Sequence, residues 1–134
     1  MNSEPLITIV TITYNAAGTV ARTLESVASQ DFTDYEHVIV DGASTDATLR
    51  LVESAPGKER RRVLSEPDNG LYDAMNKGIG LAKGKYLVFL NAGDKFHSTQ
   101  SLSQIAAAIN KNAEPGIAVS YTHLRAHETV LDLV

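Results

Sequence analysis

Cysteine is absent from the 134 residues of this chain, and its absence excludes two classes of small protein. Without thiols the chain has neither a disulfide framework nor a zinc site built on thiolates. Long hydrophobic runs are also absent, because the N-terminal stretch MNSEPLITIVTITYN has only a short, threonine-rich apolar segment with no basic residue ahead of it. We therefore expect neither a signal peptide nor a transmembrane helix, and a cytoplasmic location fits this composition.

Positive charge is scarce along the chain. Lysine and arginine number 12 against 16 aspartates and glutamates, which gives a formal net charge of -4. The one basic cluster is confined to residues 58–62. Nucleic acid binding usually requires a broad basic face, so we expect no nucleic acid partner. The hydrophobic content of 43% is enough for one domain with a buried core.

Several short motifs of nucleotide-binding and hydrolytic enzymes are missing. The first apolar run is not followed by GxGxxG, and neither GxxxxGK[ST] nor GxSxG occurs. The segment GIGLAKG lies ahead of a predicted strand, which is the wrong order for a loop that holds phosphates. The standard dinucleotide, phosphate-loop and serine-hydrolase signatures are therefore excluded.

Short β-branched runs alternate with longer amphipathic segments, which is typical of βαβ units and a mostly parallel sheet. The sequence predicts strands over residues 6–13, 35–40, 62–65 and 86–90, with a further short strand over 116–120. It predicts a first helix up to about residue 30 and a second helix capped by Ser44 or Thr45. A fourth helix is predicted over residues 101–112, after a third helix. The third helix is predicted by the spacing of Leu71, Met75, Ile79 and Ala82 and ends at Gly84.

Polar residues follow each predicted strand, and in a parallel sheet these carboxyl ends form one edge. The loops at that edge carry Tyr14-Asn15, Asp41-Gly42, the turn 66–70 and the segment 91–94. Ligands of open α/β sheets bind in the crevice along this edge. We therefore expect residues far apart in sequence to share one site.

The prominent side chains of these loops each have two interpretations. Asp94 is either a cap of the following turn or a ligand of Mg2+ or Mn2+ bound to a diphosphate, because such ions use one or two protein carboxylates. Asp41 either forms an Asx-turn or bonds to a base or ribose. Tyr14 is either an ordinary half-buried aromatic or a stacking surface for a base. The residue pattern alone leaves these alternatives open.

Three separated segments carry a family resemblance: ITIVTITYN, VIVDGASTDAT and EPDNGLYDAMNKGIGLAKGKYLVFLNAGD. Over residues 5–112, their order and spacing resemble the nucleotide-sugar-binding half of a family 2 inverting glycosyltransferase, in particular bacterial enzymes of colanic acid and other exopolysaccharide assembly. The resemblance implies an α/β fold of the GT-A type, which is a Rossmann-like, mostly parallel sheet with helices on both faces. It assigns residues 1–118 to the nucleotide-sugar-binding half. The tail, residues 119–134, resembles adaptor-derived translation and is expected to be non-native.

The same resemblance implies roles for individual residues. Tyr14 is expected to pack on the base and Asp41 to bond to it. Asp94 is expected to be the final carboxylate of the family's DxD motif and a ligand of Mg2+ or Mn2+, although Asn91 and Gly93 stand where many members have carboxylates. The other implied donor-binding residues are Thr13, Asn15, Asp68, Asn69, Gly70, Asp73, Asn76, Asn91 and Gly93.

The implied reaction transfers a sugar from a UDP- or GDP-type nucleotide sugar to an acceptor hydroxyl, with inversion, in bacterial polysaccharide synthesis. A saccharide or a lipid-linked saccharide is the expected acceptor, with the full-length protein at the inner face of the membrane. The general base is expected beyond this chain, which is expected to be truncated. Alternatives are a non-catalytic nucleotide-sugar-binding module, an inactive fragment, and a nucleotidyltransferase, whose usual basic loop after the first strand is missing from YNAAGT.

Overall fold

The computed structural model describes residues 4–112, 119–120 and 132–133. These residues form alternating strands and helices, as the hydrophobic pattern predicts. In chain order the elements are β1 (Ile7–Thr13), α1 (Val20–Ala28), β2 (Tyr35–Asp41), α2 (Thr48–Ser54), a 3-10 turn (Lys58–Arg60), β3 (Arg61–Ser65), α3 (Leu71–Leu81), β4 (Tyr86–Phe89), α4 (Ser101–Asn112), β5 (Val119–Ser120) and β6 (Asp132–Leu133).

Strands β1 to β4 form one parallel sheet in the order β3-β2-β1-β4. β1 pairs along its length with β2, from Ile7 opposite Tyr35 to Thr13 opposite Asp41. The chain builds outward from β1 through β2 and β3, then crosses over to add β4 on the other side of β1. The strand order therefore reverses beside β1, where open α/β sheets form their ligand crevice.

Helices cover both faces of this sheet, which confirms the predicted architecture. One face packs against α1, α2 and α4, and the buried residues there include Ile9, Ile39, Val52, Val88, Leu102 and Ile105. The opposite face packs against α3, through Val10, Val38, Val40, Ala74 and Phe89. Because both faces are covered, the strands are apolar nearly throughout.

Helix α3 lies very close to the sheet because its inner face is small. Ala74 and Gly78 are its buried residues, and a β-carbon on Gly78 would lie only 2.5 Å from Cγ1 of Val10. The apolar spacing that predicts this helix marks a different face. Leu71 and Ile79, two of the residues in that spacing, are 52% and 47% exposed.

Helix α2 begins later than the sequence predicts. Its N-cap is Ala47, whose side chain makes no capping hydrogen bond, and Oδ1 of Asp46 accepts from the N–H of Thr48, the first residue of the helix, at 3.0 Å. The two predicted caps are engaged elsewhere, because the Ser44 hydroxyl donates to Asp41 and the Thr45 N–H donates to Asn15. The expectation that Ser44 or Thr45 caps α2 is therefore wrong, and both residues instead bind the loop to its neighbours.

Two short strands lie in the C-terminal part of the chain. β5 and β6 pair antiparallel, with Val119 opposite Leu133 and Ser120 opposite Asp132. The rest of the predicted strand over 116–120 and of the tail 119–134 lies outside the described residues, so the assignment of a non-native tail stays a prediction. None of the helices that the structure describes has the length and apolar character needed to cross a bilayer.

Candidate functional site

Asp41, the last residue of β2, is the centre of a hydrogen-bond cluster at the carboxyl edge of the sheet. Its side chain is fully buried, with 0% exposure. Oδ1 accepts hydrogen bonds from the hydroxyls of Thr13 and Ser44, both at 2.6 Å. Oδ2 accepts from the N–H of Ser44 and the hydroxyl of Ser65, both at 2.8 Å. One carboxylate therefore ties together the ends of β1, β2 and β3.

The surroundings of Asp41 keep it ionised. Burial raises the pKa of this carboxyl, but hydrogen bonds from Ser44, Thr13 and Ser65 favour the charged form and hold the pKa below its ordinary value. Sequence reasoning singled out Asp41 and Thr13 but missed Ser65. The available signal was a hydroxyl residue at the end of β3, directly opposite Asp41 in the sheet.

Asn15 joins the loops that follow β1 and β2. Its backbone has a φ of 47°, in the left-handed region where asparagine is enriched. Its N–H donates to Oγ of Ser44 at 2.8 Å, and its Oδ1 accepts from the N–H of Thr45 at 2.8 Å. The N–H and the side-chain oxygen of Asn15 thus both bind the β2–α2 loop, although the residue itself is exposed.

Tyr14 lies next to Asn15 in sequence but is 65% exposed. A β-carbon added to Gly42 would lie 3.4 Å from Cδ1 of Tyr14 and 2.8 Å from Oδ2 of Asp68. The loops that follow β1, β2 and β3 therefore meet at Gly42. The ring of Tyr14 forms an open aromatic surface at that meeting point.

The loop ahead of α3 is organised by two of its own carboxylates. Oδ1 of Asp68 accepts a hydrogen bond from the N–H of Gly70 at 3.1 Å, and Oδ2 of Asp73 accepts one from the N–H of Asn69 at 2.9 Å. The structure thus brings four of the predicted donor-binding residues together at the start of α3. Asn76 lies further along the helix and is exposed.

The segment 91–94, which follows β4, is fastened to α1 by a buried threonine. The Oγ1 of Thr23 accepts from the N–H of Gly93 at 2.8 Å and donates to the carbonyl oxygen of Asp94 at 2.6 Å. The same hydroxyl lies 3.4 Å from the carbonyl oxygen of Asn91. Sequence reasoning missed Thr23, whose signal is its place on the apolar face of α1, one residue before Leu24.

Asp94 is the one acidic side chain of the segment 91–94. Across the described ranges of the chain, no three His, Cys, Asp or Glu side chains come together as a ready-made metal site. Mg2+ typically uses one or two protein carboxylates and completes its coordination with phosphate oxygens and water. Asp94 alone supplies one carboxylate, which is within the number that Mg2+ uses in such a complex.

Comparison with known sequences identifies relatives that are longer than this chain. It is 39% identical over 112 residues to a PGL/p-HBAD biosynthesis glycosyltransferase of Mycobacterium bovis, an alignment that covers 82% of this chain and 44% of the relative. It is 37% identical over 94 residues to the succinoglycan biosynthesis protein ExoO of Rhizobium meliloti, covering 70% of this chain and 27% of that protein. The chain thus spans less than half the length of these relatives.

Solved structures share the fold, including those of S. aureus TarS 1-349 and the mannosyltransferase PcManGT. S. aureus TarS 1-349 in complex with UDP-GlcNAc superposes with a TM-score of 0.73 at 29% identity, covering 78% of this chain and 31% of the TarS 1-349 chain. The mannosyltransferase PcManGT from Pyrobaculum calidifontis, in complex with GDP-Man and Mn2+, superposes with a TM-score of 0.72 at 25% identity, covering 87% of this chain and 35% of that one. The sheet and helices described above are therefore those of the GT-A fold.

The family assignment follows from a family model that spans most of the chain. The model is that of glycosyl transferase family 2, and it matches residues 8–128. That range includes every strand-end loop of the candidate site. With its parallel sheet, its strand-end loops and this match, the chain belongs to glycosyl transferase family 2.

Proposed function

We propose that this chain binds the sugar donor of a glycosyltransferase that moves a sugar from a nucleoside diphosphate sugar to an acceptor hydroxyl, with inversion at the anomeric carbon. The observation that carries the proposal is the convergence of the strand-end loops beside β1. The loops after β1, β2 and β3 meet at Gly42, and a β-carbon on Gly93 in the loop after β4 would lie 3.3 Å from Cβ of Thr19, at the start of α1. A crevice of this kind is where α/β sheets hold nucleotides.

The base of the donor is proposed to stack on Tyr14. This ring is large, exposed and fixed at its backbone by the loop contacts of Asn15. Stacking of a base on an aromatic side chain stabilises binding by about 1–3 kcal/mol. The complex of TarS with UDP-GlcNAc supports a nucleotide sugar as the ligand of this fold.

The diphosphate is proposed to lie near the segment 91–94, with Mg2+ or Mn2+ held by Asp94. When bound, the ion would supply positive charge to the leaving diphosphate. The backbone of Asn91 and Gly93 would keep this segment in place, and its small residues leave room for the phosphates. The complex of PcManGT with GDP-Man and Mn2+ supports the choice of a divalent cation.

The remaining predicted donor-binding residues divide into two groups. Thr13, Asn15 and Asp41 are proposed to hold the loops, because the oxygen atoms of their side chains are already hydrogen-bonded within the chain. Asp68, Asn69, Gly70, Asp73 and Asn76 are proposed to face the donor from the start of α3.

The acceptor is proposed to be a saccharide or a lipid-linked saccharide of bacterial polysaccharide synthesis. Similarity to the succinoglycan biosynthesis protein ExoO supports this class of product. A cytoplasmic protein at the inner face of the membrane would meet both the nucleotide sugar and such an acceptor.

The test is calorimetric titration of the chain with UDP, GDP and dTDP, each with and without Mn2+, on the natural sequence and on Asp94→Asn. We expect one nucleotide to bind in a Mn2+-dependent manner and Asp94→Asn to abolish the metal dependence. Asp31→Asn is the matched control, because this exposed aspartate precedes β2 at the opposite edge of the sheet.

Two results would contradict the proposal. If the folded chain binds none of the nucleotides in either condition, the crevice is not a donor site. If Asp94→Asn and Asp31→Asn bind with the same Mn2+ dependence as the natural sequence, the ion is not held by Asp94. A thermal unfolding curve for each variant establishes that the variant is folded, and ligand binding raises its midpoint.

A further inference from the structure

Gly42 leaves an opening beside the ring of Tyr14, and the carboxylate of Asp68 occupies it. A β-carbon at position 42 would lie 2.8 Å from Oδ2 of Asp68, closer than real β-carbons approach such an atom. Asp68 therefore keeps its position only because residue 42 has no side chain. The carboxylate and the exposed ring border the same small space.

The two oxygens of Asp68 differ in their engagement. Oδ1 accepts the hydrogen bond from Gly70, whereas Oδ2 accepts none from any residue that the structure describes. Asp41 has the opposite character, since each of its oxygens accepts two hydrogen bonds and none of its surface is exposed. Of these two carboxylates, Asp68 is the one with an acceptor open to a ligand beside Tyr14.

We infer that Asp68, rather than Asp41, recognises the base of the donor, through a hydrogen bond from a ring N–H of the base to Oδ2 of Asp68. This inference rests on the donor-binding function proposed above. A carboxylate is an acceptor only, so it selects a base with a donor at the middle of its pairing edge. Uracil offers N3–H and guanine offers N1–H, whereas cytosine and adenine present a lone pair there. Asp68 therefore selects UDP- and GDP-type donors against CDP and ADP.

The inference predicts a change of selectivity in Asp68→Asn. The asparagine keeps an oxygen for the N–H of Gly70 and places an NH2 group where Oδ2 was. A hydrogen bond to a charged group is among the stronger ones in proteins, so we expect the affinity for the preferred UDP or GDP to fall about tenfold to a hundredfold. The affinities for CDP and ADP should stay the same or increase, because the new NH2 donates to their ring nitrogen.

A second variant tests the same geometry without changing any charge. Gly42→Ala places a methyl group against Asp68 and displaces its carboxylate, which is the flexible end of a side chain. We expect it to lower the affinity for UDP or GDP while leaving the unfolding midpoint nearly unchanged. Gly80→Ala is the matched control, because a β-carbon on Gly80 would have no atom within 4 Å.

The experiment is titration of the natural sequence and the three variants with UDP, GDP, CDP and ADP in the presence of Mn2+. Tight binding of UDP or GDP with selectivity unchanged in Asp68→Asn would overturn this inference and leave the donor-binding function intact. Equal affinity of the natural sequence for all four nucleotides would also overturn the inference about Asp68 and leave the donor-binding function intact. Failure to bind any of them would overturn both proposals.

Discussion

The hydroxyl of Thr23 lies 2.6 Å from the carbonyl oxygen of Asp94, and it donates a hydrogen bond to it from inside helix α1. Oγ1 of Thr23 also accepts a hydrogen bond from the N–H of Gly93, whose φ of 96° lies in a region that favours glycine. A fully buried side chain thus sets the backbone of the segment whose aspartate is proposed to hold the ion. Thr23 is a positioning residue for that segment.

Thr23→Val should loosen the segment 91–94. Valine has nearly the shape of threonine but leaves the N–H of Gly93 and the carbonyl of Asp94 without this partner. An unsatisfied buried group costs about 1–3 kcal/mol, so we expect a loss of unfolding free energy in that range. The Mn2+-dependent part of the nucleotide affinity should decrease as well. Urea unfolding measures the stability, and titration of the folded variant with nucleotide and Mn2+ measures the affinity.

Thr23→Ser is the matched control, because serine retains the hydroxyl and loses only a methyl group. Thr23→Ser should keep most of the Mn2+ dependence of nucleotide binding, although the small cavity left by the methyl group lowers its stability. If Thr23→Val binds nucleotide and Mn2+ like the natural sequence, then the hydroxyl does not position Asp94.

Asp41→Asn should destabilise the fold rather than change nucleotide selectivity. In this variant an NH2 group replaces one carboxylate oxygen and faces groups that are themselves donors. The donors around Asp41 are the backbone N–H of Ser44 and the hydroxyls of Thr13, Ser44 and Ser65. Loss of hydrogen bonds to a charged acceptor costs about 1.5–3 kcal/mol. We expect the free energy of unfolding, measured with urea at neutral pH, to fall by at least that amount.

The pH dependence separates this explanation from a simple packing defect. The folded pKa of Asp41 is below its ordinary value of 3.8, so its contribution is fully present above that pH and is lost as the pH falls through the folded pKa. The difference in stability between Asp41→Asn and the natural sequence should therefore shrink in strong acid. A difference that stays constant from neutral pH into strong acid would contradict the role assigned to the charge.

The overall architecture could be predicted from the sequence because it depends on local patterns. Strands buried on both faces read as continuous apolar runs, and alternation with helices implies a parallel sheet. The predicted ranges 6–13, 35–40, 62–65 and 86–90 each agree with an observed strand to within one residue at either end. The convergence of polar loops at one edge then followed from topology alone.

The contacts within the site could not be predicted in the same way, because they join residues distant in sequence. Thr23 and Gly93 are 70 positions apart, and Ser65 meets Asp41 only because β3 pairs with β2. The buried face of α3 was also missed. Apolar spacing favoured Leu71 and Ile79, but a helix pressed onto a sheet buries its smallest residues instead.

Gly78→Ala and Gly80→Ala should have opposite effects on stability. A β-carbon on Gly78 would lie 2.5 Å from Cγ1 of Val10 and 3.5 Å from Cγ2 of Val40, both in the core. Overpacking of this kind costs about 1–3 kcal/mol. At the open position of Gly80, alanine should stabilise the helix by about 0.5–1 kcal/mol. Urea unfolding of both variants measures the difference, and equal effects would contradict the close approach of α3 to the sheet.

His37 should make the fold sensitive to mild acid. It is buried in β2, and its Nε2 is 2.7 Å from Oγ1 of Thr11. Burial, together with the positive charge of Arg61, lowers the pKa of His37 from 6.5 to about 3. Between these two values the unfolded chain binds a proton that the folded chain does not, so stability falls as the pH falls.

The expected loss from His37 is about 2 kcal/mol between roughly pH 7 and pH 5, because each unit below the unfolded pKa contributes about 1.4 kcal/mol. Urea unfolding across this range measures it. In His37→Gln, the amide is of similar length and does not titrate, so the curve of stability against pH should flatten over the same interval even if the variant is less stable overall. A natural sequence whose stability is constant from roughly pH 7 to pH 5 would show that His37 accepts a proton in the folded state, and that water or a carboxylate reaches its ring.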